Sequence, residues 1–227
     1  MSQLARKLGI SSDLSFYDVL DIDDQEGLLS FIPRPVHALI FLTPASVYHA
    51  TRDDTEAEMR RTPDPQRDLE SKPPAVTWFK QTVGNACGLM AFLHCICNGV
   101  GRNYIEPDSQ FAHFLKEADS LPAASRADLV YNSELLEQAH MDVAFTGDTD
   151  APITEGPAGF HYIAFVKSDD GHLWELNGGM PGPLDLGALS SDEGALSPRA
   201  LDMSVRSFMG THPDLRHSIV ALGPTAG

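Results

Sequence analysis

The 227-residue chain carries 32 acidic residues against 16 basic ones, for a formal charge of −16. That balance argues against nucleic acid or an anionic membrane surface as a partner and suits a basic ligand. With 42% hydrophobic and 21% charged residues and no visible internal repeat, the composition is that of a globular protein able to bury one sizeable core.

In chain order, Met1 to Gly9 lacks the apolar core of a secretory leader, and no apolar stretch is long enough to span a bilayer. Leu4, Leu8 and the stop at Gly9 predict a short first helix, and Asp24 to Phe31 a second. Val36 to Leu42 is a nearly continuous apolar run between Pro35 and Pro44, as expected of a central strand buried on both faces. Residues 51–74 hold many charges and four prolines without apolar period, and read as an exposed excursion. Ala86 to Asn98 predicts a helix with Leu89, Leu93 and Ile96 inward, ended by Asn98-Gly99. Further helices are expected around 110–118, 133–140 and 196–209, and a closing strand over 218–222.

Cys87 opens the apolar helix, and Gln81 stands six residues before it. A helix start offers unpaired backbone N–H groups and the positive end of the dipole, which favours thiolate over thiol. Gln81 can add a side-chain amide, so that two donors converge where a tetrahedral oxyanion forms. Alone, a cysteine there is more often a small buried side chain than a nucleophile.

A partner comes from Gly159 to Gly178, two β-rich runs around a polar turn. If the loop is Ser168 to Asp170, Lys167 faces Gly171 and His161 falls directly opposite Asn177. Opposed Cβ atoms lie roughly 4.5–5.5 Å apart, within reach of a bond from the imidazole to the Asn177 carbonyl oxygen. His94, Cys95 and Cys97 only superficially suggest metal: on a helix Cys95 points away from the others, and no second ligand cluster has zinc spacing.

Lys80-Gln81, Cys87-Gly88, Phe160-His161-Tyr162-Ile163 and Gly171-His172-Leu173-Trp174-Glu175-Leu176-Asn177-Gly178 together resemble the ubiquitin C-terminal hydrolases. Phe16-Tyr17-Asp18-Val19, Phe31-Ile32-Pro33-Arg34-Pro35-Val36 and the closing Leu215 to Leu222 extend the likeness over nearly the whole chain. The resemblance implies an α/β (α+β) fold, with residues 1–227 forming one papain-like catalytic domain. A mainly antiparallel central sheet flanked by helices and a knotted chain path belong to that expectation. It also implies Cys87 as nucleophile, His161 as general base and acid, Gln81 as oxyanion donor and Asn177 in the orienting position. That last position usually holds aspartate in the family, and an asparagine can fix the imidazole tautomer without supplying charge.

The function implied is a thiol-dependent ubiquitinyl hydrolase cutting after the C-terminal glycine of ubiquitin or a ubiquitin-like protein, whose tail is basic and ends in two glycines. It needs no cofactor or metal, binds neither nucleic acid nor membrane, and is expected to be a monomer in the cytoplasm, with the nucleus as a second compartment. Two alternatives stay open: a ubiquitin-binding protein whose catalysis is weakened or lost through Asn177, and a Cys-His-Asn acyltransferase on small thioesters. Residues 142–159, just before His161, correspond to a crossover loop expected to gate substrate size.

Overall fold

The computed structural model describes residues 1–24, 26–61, 75–144, 159–210 and 216–226. Six strands form one sheet: β1 (Leu14–Val19), β2 (Ala38–Pro44), β3 (Phe160–Lys167), β4 (His172–Leu176), β5 (Leu184–Ala188) and β6 (Ser218–Pro224). Their order is β1-β6-β2-β3-β4-β5, and every neighbouring pair runs antiparallel.

The apolar run at β2 has its cause in coverage of both sheet faces. Ala38 and Ile40 join one core with Ala164 and Val166 of β3, while Leu39 and Phe41 join another with Ile163 and Phe165. Helices α1 (Ser2–Lys7), α3 (Cys87–Ile96) and α4 (Gln110–Asp119) pack on the first face, and α6 (Glu134–Ala144) contributes Leu136 and Ala139. The second face is covered by α2 (Ala45–Arg61), α7 (Pro198–Met203) and α8 (Arg206–Met209). Between α4 and α6 lies α5 (Ala123–Tyr131), absent from the sequence expectations.

Several boundaries move for identifiable reasons. The second helix shrinks to a 3-10 turn over Leu28–Phe31, because the Asp24 carboxylate accepts from the N–H groups of Gly27 and Leu28 at 2.9 and 3.0 Å and bends the chain around itself. The helix expected over 196–209 starts at Pro198, capped by Ser197, whose hydroxyl accepts from Ala200 N–H at 3.2 Å. It breaks at Ser204, whose hydroxyl donates to the Ala200 carbonyl. Of the excursion expected over 51–74, residues 51–61 are helical and belong to α2, and 62–74 lie outside the described residues. No apolar period marks this helix because its inward face is carried by Val47, Tyr48 and the stem of Arg52 rather than by an aliphatic stripe. Residues 145–158, most of the expected crossover loop, also lie outside the described residues. Among the described residues, no helix is long and apolar enough to cross a membrane.

Candidate active site

The β3–β4 hairpin places one half of the site. Lys167 pairs with Leu173 and Ala164 with Leu176, and Ser168 N–H bonds the His172 carbonyl at 3.0 Å. The loop is therefore Asp169 to Gly171, one residue later than the sequence reading had it. Gly171 belongs inside it because its φ of +82° is the left-handed residue that closes a three-residue hairpin loop. His161 is consequently not directly opposite Asn177. The register moves by two residues, however, and strand side chains alternate with period two, so both stay on the same face. The Asn177 side chain acts on the His161 imidazole, favouring its protonated form.

Burial holds the His161 imidazole below its ordinary pKa, with the Asn177 side chain acting against that shift and the charge of His49 adding to it. Asn177 is itself 4% exposed. Its Oδ1 accepts from Gly179 N–H at 2.8 Å, and its backbone carbonyl accepts from the Trp78 indole at 3.0 Å.

The other half arrives on the extended segment 77–81 and α3. Gln81 N–H donates to the Gly178 carbonyl at 2.8 Å, which lays this segment along the end of β4. Gly178 has no room for a side chain: a Cβ there would stand 2.9 Å from Gln81 Cβ, Gln81 N and the Phe79 carbonyl oxygen. Gly178→Ala should accordingly push the Gln81 segment away from Asn177 and lower kcat about tenfold or more while costing about 1–3 kcal/mol of stability. Thermal melting and steady-state kinetics on one preparation check this, and wild-type kcat in the variant would show that the close approach is dispensable.

Gln81 Nε2 donates to the Val83 carbonyl at 2.9 Å. An amide nitrogen carries two N–H bonds, so one remains for an oxyanion. Cys87 is the first residue of α3, 9% exposed, and the preceding Ala86 supplies no side-chain cap. The first-turn N–H groups thus keep their capacity for a ligand. α3 lies against β3, and the thiol's electrostatic neighbour on that strand is Tyr162, whose hydroxyl is raised by burial and then by Cys87. His161 and Tyr162 are consecutive on β3, so both faces at this end of the strand carry groups of the site.

Cys95 on α3 and Cys97 just past its end are core groups. Burial pushes the Cys95 and Cys97 thiols well up, keeping them protonated, while His94 is pushed down to about 3, also by burial, and its Nε2 accepts from Phe79 N–H at 3.0 Å. Among the described residues, His49, Asp53 and Glu56 on α2 do bring ligand atoms within 4.8 Å of one another. They lie on its solvent side, with Glu56 paired to Arg60, an ordinary arrangement of charge on a helix surface.

Sequence reading missed the groups behind Asn177. Glu175, 1% exposed, accepts from the Tyr48 hydroxyl at 3.1 Å and from Arg52 Nε and Nη2 at 3.0 and 2.8 Å. A clue was present in an acidic residue at an inward strand position, which burial permits only when it is paired.

A cysteine at a helix start, an amide with a spare N–H on the preceding segment and a histidine on the same face as an asparagine side chain make up the equipment of a thiol hydrolase. The model described as ubiquitin carboxyl-terminal hydrolase, family 1, matches residues 1–210. Relatives include ubiquitin carboxyl-terminal hydrolase isozyme L1 of Rattus norvegicus, 31% identical over 85% of this chain and 80% of that protein. Ubiquitin carboxyl-terminal hydrolase YUH1 of Saccharomyces cerevisiae is also 31% identical, over 98% of this chain and 91% of its own. The chain belongs to the ubiquitin carboxyl-terminal hydrolase family. In fold it is similar to the Trichinella spiralis UCH37 catalytic domain, crystallised bound to ubiquitin vinyl methyl ester, with a TM-score of 0.64 at 21% identity over 98% of this chain and 90% of that one.

Proposed function

We propose that the protein is a thiol-dependent hydrolase that cleaves the bond following the C-terminal glycine of ubiquitin or a ubiquitin-like protein, with Cys87 as nucleophile. His161 takes the thiol proton as the Cys87 sulfur attacks the glycine carbonyl carbon, and the oxyanion sits between the Cys87 N–H and the free N–H of Gln81 Nε2. His161 gives its proton to the leaving amine as the carbon–nitrogen bond breaks. It then takes a proton from the water that opens the thioester, with Asn177 fixing the ring.

The observation that carries this reading is the seam between the two halves of the site: Trp78 and Gln81 bond to the carbonyls of Asn177 and Gly178, which brings the oxyanion donor to the residue that orients the base. A binding protein without catalysis is not favoured, since the relatives are hydrolases. The net charge of −16 suits a basic tail. The three thiols, all unpaired, suit a reducing compartment, cytoplasmic or nuclear.

The test is the pH profile of fluorophore release from the ubiquitin C-terminus. A neutral base whose pKa is lowered by burial stays active as pH falls, so the acid limb of kcat/KM should lie below the ordinary histidine value of about 6.5. Asn177→Asp supplies a charge that stabilises the imidazolium, raises that pKa and moves the limb to higher pH. An acid limb that ignores Asn177→Asp would remove His161 from the role of base.

A further inference from the structure

An oxyanion donor works only at a fixed place relative to the nucleophile, and a displacement of about 1 Å can cost on the order of 100-fold in rate. Cys87 begins α3, whereas Gln81 stands on the extended segment before it. Residues 82–85 between them are exposed, so the packing that sets the separation has to come from elsewhere.

His94 supplies it. It lies seven residues after Cys87 on the same helix, about 10 Å and two turns along, and so close to the same face. Its Nε2 accepts from Phe79 N–H at 3.0 Å, and the two rings stack at 5.9 Å with both side chains wholly buried. Asn98 continues the clamp: its Oδ1 accepts from Thr77 N–H at 2.6 Å, and its Nδ2 donates to the carbonyls of Thr77 and His94, each at 2.9 Å. His94 and Asn98 thus hold the N–H groups of alternate residues 77 and 79, as a partner strand would.

An imidazole accepts only while neutral. Burial pushes His94 down to about 3, so Nε2 keeps its lone pair and the ring proton stays on Nδ1 at working pH. An apolar side chain could fill the same space but would leave the Phe79 N–H buried without an acceptor.

We propose that His94 is a positioning residue: by accepting the Phe79 N–H it ties the segment carrying Gln81 to the helix carrying Cys87, and so holds the oxyanion donor at its distance from the nucleophile. This rests on Gln81 donating to the oxyanion. Gln81 follows Phe79 by two residues, and its own N–H is fixed to the Gly178 carbonyl at 2.8 Å. The segment is therefore pinned on two sides, to α3 through His94 and to the end of β4 through Gly178. Freed from α3, it follows the hairpin alone.

The experiment measures fluorophore release from the ubiquitin C-terminus by the whole protein as wild type, His94→Leu, Gln81→Ala and the double variant, at a temperature where circular dichroism shows each folded. His94→Leu should lower kcat at least about fivefold with KM within about twofold, and cost less than about twofold beside Gln81→Ala, where no donor is left to place. His94→Gln, whose Oε1 can accept in place of Nε2, should recover most of the loss. His94→Asn, too short to reach Phe79, should behave as the leucine variant does and carries the same cycle if that variant does not fold. Alkylation of Cys87 by iodoacetamide passes through no oxyanion, so its rate, read by peptide mapping, should stay within about twofold of wild type in His94→Leu. Equal kcat losses in both backgrounds, no loss in the wild-type background, or slowed alkylation in a folded variant would overturn the proposal. Gln81→Ala alone separates the two readings: wild-type kcat there removes the oxyanion donor and the proposal with it, whereas a slow Gln81→Ala with equal His94→Leu losses removes only the positioning role.

Discussion

Cys87→Ala should abolish release of a C-terminal adduct from ubiquitin, lowering kcat by at least about 10³-fold, while changing ubiquitin affinity by no more than a few-fold. The asymmetry follows from the size and position of the thiol. It is 9% exposed at the first residue of α3 and offers little contact area, whereas the chemistry passes through its sulfur. Cys95→Ala and Cys97→Ala form the control. Both thiols are buried in the core, Cys95 on α3 and Cys97 just past its end, and kept protonated, so each variant should lose stability by about 1–2 kcal/mol through cavity formation and keep most turnover. Titration calorimetry with ubiquitin and a fluorogenic assay on the same variants give the two numbers. Turnover that survives Cys87→Ala but disappears on changing Cys95 or Cys97 in a folded protein would place the nucleophile elsewhere.

Arg126→Ala should cost about 3–5 kcal/mol and lower Tm by on the order of 10 °C. Arg126 is 2% exposed, and its guanidinium donates to the carbonyls of Ala118, Trp78 and Leu121 at 3.1, 2.6 and 3.0 Å. Removing it strands the buried Trp78 carbonyl and takes a donor from those of Leu121 and Ala118, the latter keeping Leu121 N–H. Trp78 lies in the segment that carries Gln81 to Gly178, so turnover should fall even at temperatures where the variant is fully folded. Arg126→Lys should recover little, since a point charge on a flexible stem cannot reproduce a planar fork aimed at three fixed oxygens. Differential scanning calorimetry decides the matter, and a Tm within about 2 °C of wild type would mean that water satisfies those carbonyls as well as the arginine does.

How far the sequence revealed the fold depended on whether each element announces itself locally. β2 was legible because burial on both faces demands an unbroken apolar run, and α4 because its apolar spacing and the Ser109 cap, which accepts from Ala112 N–H at 3.0 Å, lie within a few residues. α2 was not, since Tyr48 and Arg52 find their partner Glu175 more than a hundred residues away, and nothing local distinguishes such a face from solvated charge. The break at Ser204 had no local apolar signal either, because the helical pattern continues across it.

Within the site, the pairing of His161 with Asn177 survived a misplaced turn only because the displacement was two residues. A displacement of one would have sent Asn177 to the opposite face of the sheet. The glycine that closes the loop carried the information needed to place it. The seam at Gly178 and the bonds of Tyr48 and Arg52 to Glu175 are tertiary, and they became visible only in the folded arrangement.

The most direct measurement treats the folded protein with ubiquitin bearing an electrophile at its C-terminus, followed by intact mass and peptide mapping. One ubiquitin added per chain, with the crosslink on Cys87 and lost in Cys87→Ala, is the predicted result. A folded, unmodified chain, or a crosslink on Cys95 or Cys97, would contradict it.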